Sequence, residues 1–265
     1  MNKKNYHISI GDQIKFGFRD TLTMTMRNVL RNYRLPQLIF FSTIQPVIFL
    51  LLFNYVFGGA VSRGNGVSYI DFLLPGILVQ TVVMGSVQTG VGLAEDLQKG
   101  VIDRFRSLPM SRVAHIAGRV FADTMRNIIV LALMVIVGWL IGFRINNDWY
   151  IALMSIPLLL AFGFAFSWIA SLFGLFTKSS ETAQVLGFMI VFPLVFASSI
   201  FVPVETMPTW LQGFATNQPI SQAADAVRAM TQGGPLDSIR TTCVWIVVIL
   251  VVAVPIAIYK YRQTE

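Results

Sequence analysis

The sequence predicts an all-α, polytopic membrane protein with six transmembrane helices. Of its 265 residues, 55% are apolar and only 12% are charged, and the mean hydropathy is +0.66. Soluble domains carry about 25% charged residues. The net charge of +7 would suit a nucleic-acid-binding protein, but the basic residues lie beside long apolar runs. Orientation in a membrane explains that placement better, so no nucleic-acid partner is expected.

Six apolar runs are each long enough to cross a hydrocarbon core of about 30 Å as a helix. We predict one domain over residues 1–265, with spans at 36–57, 72–94, 120–143, 149–176, 182–202 and 241–259. In the connecting segment 1–35, apolar side chains recur every fourth position among basic ones, which predicts a cytoplasmic amphipathic helix in the membrane interface. Between spans 5 and 6, Trp210, Leu211 and Phe214 predict short extracytoplasmic helices.

Both termini are predicted to be cytoplasmic, because the basic residues are divided unequally between the loops. With this orientation fifteen lysines and arginines lie inside and only four lie outside, namely Arg63, Arg144, Arg228 and Arg240. Cytoplasmic loops of membrane proteins carry an excess of lysine and arginine, so the bias determines the orientation.

Two features of the spans predict specific contacts. Asp123 and Arg126 occupy the first turns of span 3 at positions i and i+3, where they can pair and so lower the cost of placing charge in the membrane. Small residues from Gly85 to Gly90 in span 2 would let a neighbouring helix approach closely. That neighbour could belong to the same subunit or to a second copy.

A short amphipathic helix is predicted in the polar segment between spans 2 and 3. Its apolar face comprises Val101, Ile102, Phe105 and Leu108, and the basic residues Arg104 and Arg106 lie on the other side. Pro109 ends this helix because proline disfavours the helical conformation of the residue before it. Such a helix could lie on lipid headgroups or fit a groove of a soluble partner.

The chain offers few residues for catalysis or for energy coupling. Its histidines are His7 and His115, and the lone cysteine, Cys243, is expected to be a buried and inert thiol. The sequence lacks the Gly-x-x-x-x-Gly-Lys-Ser/Thr loop that binds nucleotide phosphates. We therefore expect no catalytic residues and no metal or cofactor bound by this chain, and any energy must come from a partner.

Two motifs carry a resemblance to a known family: the stretch from Glu95 to Ser111, and Ser-Ile-Phe-Val-Pro-Val-Glu-Thr-Met-Pro-Thr-Trp-Leu-Gln from Ser199 to Gln212. Together with the order of six spans, they resemble the permease subunit of ABC-2 type exporters, and within that family the daunorubicin-resistance, DrrB-like group. The resemblance covers nearly the whole chain.

The resemblance implies a type V exporter in a bacterial plasma membrane, in which the permease dimerises and pairs with two copies of a separate ATPase that binds ATP and Mg. The helix between spans 2 and 3 would be the coupling helix that docks in the ATPase, with Phe105 as apolar anchor and Arg104 and Arg106 as polar contacts. Headgroup binding by the two arginines is the alternative.

The resemblance also implies the function, which is ATP-driven export of a hydrophobic or amphipathic molecule, drug-like or lipid-like, from the cytoplasm or the inner leaflet. The substrate would pass between two permeases, and the candidate lining residues are Phe188, Phe192 and Phe196. These side chains could instead face lipid or pack within a subunit. Two other functions remain open: export of a lipid-linked polysaccharide, and a non-transporting membrane enzyme or immunity protein.

Overall fold

The computed structural model describes residues 10–34, 36–65, 68–101, 112–177 and 179–263, which form helices with no β-strand among them. The helices are α1 (Ile10–Arg34), α2 (Pro36–Asn65), α3 (Tyr69–Gln98), α4 (Arg112–Ile141), α5 (Trp149–Phe176), α6 (Ser180–Phe196), α7 (Thr209–Asn217), α8 (Pro219–Gln232) and α9 (Asp237–Gln263). A 3₁₀ turn at Val204–Thr206 lies between α6 and α7. The all-α prediction is confirmed for the described residues.

Helix α3 lies at the centre of the bundle and packs against α2, α4, α5, α6 and α8. A helix that is apolar on all sides is expected to be buried, and most of α3 is buried. Its fully buried side chains include Leu73, Leu74, Ile77, Val79, Val82 and Val83. The other spans are packed around this helix and leave much of their apolar surface outward, as expected for helices that contact lipid or a second subunit.

Glycines bring the backbones of α3 and α5 into direct contact. A Cβ atom at Gly90 would lie 2.2 Å from the carbonyl oxygen of Ala170, and one at Gly174 would lie 2.3 Å from the carbonyl oxygen of Gly90. No side chain larger than hydrogen fits at such distances. The small residues that the sequence places in span 2 therefore serve packing within the subunit at Gly90.

Within the described part of the chain, five helical segments are long and apolar enough to cross a membrane: Ser42–Gly59, Tyr69–Gln98, Ala114–Ile141, Trp149–Phe176 and Asp237–Tyr261. The chain is thus a multi-pass membrane protein. The remaining apolar helix, α6, has 17 residues and is roughly 25 Å long. It ends at Phe196, whereas the sequence predicts a helix that continues to residue 202. The six-span topology stays a prediction.

Hydrogen bonds to α8 explain why the chain turns after Phe196 although its sequence remains apolar. The backbone N–H of Ser199 donates to Ser221 Oγ at 3.0 Å, and Ser199 Oγ donates to Asp225 Oδ1 at 2.9 Å. The following residue, Ile200, is fully buried. The turn therefore gains polar partners and apolar burial that a continued helix would lose.

Helix α1 contacts α4 through one face and exposes the other. Met24 is buried, and a Cβ atom at Gly118 of α4 would lie 2.5 Å from Met24 Cβ. The exposed apolar side chains of α1 include Phe18, Leu22, Met26 and Leu30. A position in the membrane interface would cover this exposed face, and that position stays a prediction.

Two sequence-based expectations need correction. Span 1 was predicted to end at residue 57, but α2 continues through the following glycines to Asn65. Cys243 was expected to be buried, but its side chain is exposed on α9. A glycine costs a helix only about 1 kcal/mol, which is too little to end α2 at Gly58 or Gly59. Cys243 was misplaced because residue type alone does not say which face of a helix packs against a neighbour.

Candidate functional site

A polar cavity of about 420 Å³ lies between α2, α3, α4 and α6. On α3 and α4 the lining residues recur every three or four positions, in places as adjacent pairs, so they form a stripe on each helix. The stripe on α3 includes Gln80, Met84, Gln88, Val91 and Glu95, and that on α4 comprises Arg119, Asp123, Arg126, Asn127 and Val130. Helix α2 adds Ser42, Gln45 and Pro46, and α6 adds Phe188. Between Gln80 and Glu95 the cavity follows α3 for roughly 22 Å.

A buried ion pair forms part of the cavity wall. Arg126 Nη1 lies 3.0 Å from Asp123 Oδ1, as the spacing in the sequence predicts. Thr89 Oγ1 donates to Asp123 Oδ2 at 2.6 Å, and Arg126 Nη2 donates to the carbonyl oxygen of Gly85 at 3.0 Å. Since both charges are paired and hydrogen-bonded, the cost of removing them from water is largely offset.

A second charged cluster lies at the end of α3 that precedes Val101. Arg119 of α4 donates to Asp96 of α3, and His115 Nε2 is 3.5 Å from the same carboxylate oxygen. The guanidinium of Arg119 lies over Gly92, where a Cβ atom would be 1.5 Å from Arg119 Nη2. Glycine at this position therefore allows α4 to place a charged side chain directly against α3.

Two residues that line the cavity each have a buried polar atom that lacks a hydrogen-bond partner among the described residues. The atoms are Gln80 Oε1, an acceptor, and Arg126 Nε, whose N–H is a donor. Gln80 is only 2% exposed. Buried polar atoms normally have partners, so this pair is an exception within an otherwise satisfied site.

The predicted coupling helix falls mostly outside the described residues. Val101 is described and is partly buried, and it follows Gly100, whose φ of 62° marks a turn at the end of α3. The remaining candidates, Ile102, Arg104, Phe105, Arg106 and Leu108, lie outside the described residues. Their role in coupling stays a prediction.

The three phenylalanines predicted to line a substrate pathway do not share one environment. Phe188 lines the polar cavity. Phe192 and Phe196 are exposed on α6, with 4.4 Å between their ring centroids. Phe196 also contacts Phe201, which stacks on Phe53 of α2 at 4.4 Å. Phe188 therefore lies at the cavity, whereas Phe192 and Phe196 belong to an aromatic row that joins α6 to α2 through the buried Phe201.

A buried arginine that the sequence analysis counted only as an outside charge holds α8 in place. Arg228 Nε donates to the carbonyl oxygen of Phe72 at 2.9 Å, and Nη2 donates to that of Ile200 at 3.0 Å. Nη1 is 2.7 Å from Asp225 Oδ1, and the guanidinium lies 3.7 Å from the centre of the Phe72 ring. Burial lowers the pKa of Arg228 to about 10, and Asp225 opposes that shift.

Gln80 and Arg119 could not be recognised as site residues from the sequence, because neither lies in a motif. A neutral glutamine within an apolar run is a weak signal, although polar residues inside a span are expensive and often functional. Within the described ranges, no group of three or more His, Cys, Asp or Glu side chains is placed to hold a metal ion.

Comparisons with known proteins identify a family that this sequence matches. The sequence model of the family described as ABC-2 type transporter matches residues 19–231. Over 213 residues the chain is 38% identical to the daunorubicin resistance ABC transporter permease protein DrrB1 of Streptomyces coeruleorubidus, which covers 80% of this chain and 75% of the relative.

Two more distant relatives extend the comparison. The chain is 29% identical over 248 residues to the probable doxorubicin resistance ABC transporter permease protein DrrC of Mycobacterium tuberculosis, covering 92% of this chain and 89% of the relative. It is 25% identical over 218 residues to the putative transport permease ycf38 of Cyanophora paradoxa, covering 80% of this chain and 74% of the relative. All three relatives carry permease in their names.

Proposed function

Because the chain belongs to the ABC-2 type transporter family, we propose that it is the membrane permease of an ATP-driven exporter for hydrophobic or amphipathic molecules. The observation that carries the proposal is the polar cavity enclosed by apolar spans. A cavity of this size matches the pockets that hold drug-sized molecules, which range from about 300 to about 1,000 Å³. Polar groups within such a bundle are costly unless they serve a substrate or a mechanism.

The names of the relatives support a drug-like substrate. DrrB1 and DrrC are named for resistance to daunorubicin and doxorubicin. For this chain we propose export of a drug-like or lipid-like amphipathic molecule from the cytoplasm or the inner leaflet. The cavity wall contains Met84, Val91 and Phe188 as well as polar residues, and such a mixed surface suits an amphipathic ligand.

The proposed assembly contains two permeases and two copies of a separate ATPase, which binds ATP and Mg. The described residues contain no nucleotide-binding loop, so energy would enter through the ATPase. We propose that residues 101–108 dock in a groove of the ATPase, because a helix with one apolar and one charged face suits such a contact. The single membrane domain would lie in a bacterial plasma membrane with both termini in the cytoplasm.

The test is ATP-dependent transport by the purified permease reconstituted with its ATPase in proteoliposomes. Daunorubicin is the probe because its fluorescence reports accumulation, and the control is an ATPase variant that lacks the phosphate-binding lysine. We expect ATP-dependent accumulation with the wild-type ATPase only. If ATP hydrolysis and transport respond to a lipid-linked oligosaccharide and not to daunorubicin, the drug-export proposal fails.

A further inference from the structure

Two residues that line the polar cavity of one subunit each have a buried polar atom without a hydrogen-bond partner among the residues that the structure describes. Gln80 Oε1 accepts and Arg126 Nε donates, both atoms are buried, and neither has a partner within the described part of the chain. Both residues line the same cavity. A buried polar atom without a partner destabilises the protein, so such a pair is expected where a ligand or ordered water completes the site.

The charges around the cavity are neutralised by the protein itself. Arg126 pairs with Asp123 and Arg119 pairs with Asp96, and both pairs are largely buried; Glu95 forms an exposed pair with Lys99 at the end of α3. An ionic ligand would have to compete with one of these pairs. Breaking a buried pair leaves a charge uncompensated, which is strongly unfavourable. The wall therefore favours an uncharged ligand group over an ion.

The rest of the wall shows how such a group would be held. Met84, Val91 and Val130 add apolar surface to the same cavity wall, and Phe188 adds an aromatic side chain. A ligand that presents a hydroxyl or carbonyl oxygen to Arg126 Nε, and a hydroxyl to Gln80, would satisfy both atoms while it buries its apolar part.

We propose that each subunit binds an uncharged, hydroxyl- and carbonyl-bearing portion of an amphipathic small molecule in this cavity, through Gln80 and Arg126. The proposal rests on the proposed export function and deepens it by naming the chemistry of the substrate. It places a binding site within one permease, in addition to any passage between two permeases. The cavity extends along α3 from Gln80 to the charged end of the helix, which provides a polar route to the site.

The test measures binding by the full-length permease alone in lipid nanodiscs, so it does not depend on transport. The probe is daunorubicinone, the uncharged and fluorescent aglycone of daunorubicin, with binding to empty nanodiscs subtracted. We expect saturable binding to the wild type. Gln80→Leu should raise Kd about tenfold, the effect of losing one hydrogen bond in a buried site. Gln80→Met, which keeps the side-chain length, should give the same loss.

Controls separate binding from folding. Gln184→Leu makes the same chemical change at an exposed position on α6 and should keep Kd within about twofold of the wild type. Without ligand, Gln80→Leu should unfold at the wild-type temperature or above it, because it removes an unsatisfied buried acceptor. If Gln80 has a purely structural role, Gln80→Leu should instead lower the unfolding temperature and leave the Kd of the folded fraction unchanged.

The outcomes distinguish this inference from the exporter proposal. Wild-type affinity in both Gln80 variants, or no saturable binding of daunorubicinone, overturns the inference. The inference is also overturned if an equimolar concentration of tetraphenylphosphonium, a cation without hydrogen-bonding groups, displaces daunorubicinone from the wild type. If binding depends on Gln80 but no ATP-driven transport occurs, the exporter proposal fails and the site remains. If the Gln80 variants transport daunorubicin as the wild type does, the site fails and the exporter proposal remains.

Discussion

Arg126 and Asp123 form a buried ion pair one turn apart on α4, with 3.0 Å between Arg126 Nη1 and Asp123 Oδ1. Each side chain is 8% exposed, and both have further polar partners on α3. The pair therefore joins two central helices at the depth of the cavity. Removing the pair should therefore destabilise the packing of α3 against α4.

Asp123→Ala should destabilise the permease by about 3 to 5 kcal/mol, because it leaves the Arg126 guanidinium buried without a counter-charge. Replacing both residues together, as Asp123→Leu with Arg126→Met, should recover most of the loss. Thermal unfolding in nanodiscs, followed by tryptophan fluorescence, measures both effects. Glu205→Gln is the control, since it removes an exposed carboxylate. A single variant as stable as the double variant would contradict the assigned role of the pair.

Gly90→Val should separate α3 from α5, because a Cβ atom at Gly90 would lie 2.2 Å from the carbonyl oxygen of Ala170. Overpacking of this kind costs about 1 to 3 kcal/mol or more. The matched control is Gly213→Ala on α7, where a Cβ atom meets nothing within 4 Å. That change should be neutral or slightly stabilising, because alanine favours a helix over glycine by up to about 1 kcal/mol. Equal melting temperatures for the two variants would refute the close contact.

The sequence predicts contacts between residues that are near in the chain better than contacts between residues that are far apart in it. The Asp123–Arg126 pair is predictable because it depends only on helical spacing, and α5 begins and ends at the predicted residues, Trp149 and Phe176. The end of α6 is not predictable in this way. The segment after Phe196 is apolar enough to continue the helix, and the turn depends on partners in α8 that are more than twenty positions away, as in the bond of Ser199 to Ser221.

The cavity shows the same limit. Its polar residues come from three helices, and no spacing within one helix reveals that Gln80 and Arg126 line a common cavity. Hydropathy treats Gln80 as one unfavourable residue in an otherwise acceptable span. Only the packing of α3 against α4 brings the two side chains to one wall, and that packing is determined by glycines whose role depends on their neighbours, such as Gly92 beneath Arg119.

Arg228→Lys should loosen α8, although it preserves the charge. Lysine has one nitrogen, so it cannot reach Phe72 O, Ile200 O and Asp225 together as the guanidinium does. Losing two hydrogen bonds from a charged donor should cost about 3 kcal/mol. Hydrogen exchange should speed up in α8 and in the turn after α6, whereas Arg240→Lys, at an exposed site on α9, should change neither. Unchanged exchange in the Arg228 variant would show that the network does not hold α8.

The Arg228 network should be insensitive to pH over the neutral range. Burial lowers the pKa of Arg228 to about 10, so well below pH 10 the group is protonated in both the folded and the unfolded protein. Unfolding then neither takes up nor releases a proton at this site, and its contribution to stability stays constant. Above about pH 10 the folded protein loses this proton before the unfolded protein does, because its pKa is the lower one, so the penalty for burying the charge falls as pH rises.

Cysteine labelling in intact cells can test the orientation, using positions that the structure exposes. In a Cys243→Ser background, Ser68→Cys and Gly213→Cys should react with a membrane-impermeant maleimide, because both lie on the side predicted to be extracytoplasmic. Lys99→Cys should react only after the membrane is permeabilised. Gly213 suits this test better than the neighbouring Gln218, which is buried and donates to the carbonyl oxygens of Leu194 and Ala197. Labelling of Lys99→Cys in intact cells would reverse the proposed orientation.

Phe105→Ala should uncouple the permease from its ATPase without affecting membrane insertion. Two sites influence each other only through states that each binds differently, so coupling requires a fitted contact. Phe105 is the largest apolar residue of the predicted docking face, and truncating a buried interface anchor costs about 2 kcal/mol, or about 30-fold in Kd. Insertion should be unaffected, because the residue lies outside the spans and the basic residues that set orientation are retained.

The measurement for Phe105→Ala is ATPase association, together with substrate-stimulated hydrolysis, in vesicles of fixed lipid composition. Arg104→Glu should weaken association similarly if Arg104 contacts the ATPase. Lys99→Ala is the control, because its exposed ion pair with Glu95 should contribute at most about 1 kcal/mol. Headgroup binding predicts a different pattern, in which the two variants change only the dependence on anionic lipid. Wild-type association and hydrolysis in Phe105→Ala would exclude docking through this helix face, because the variant lacks the largest apolar side chain of that face.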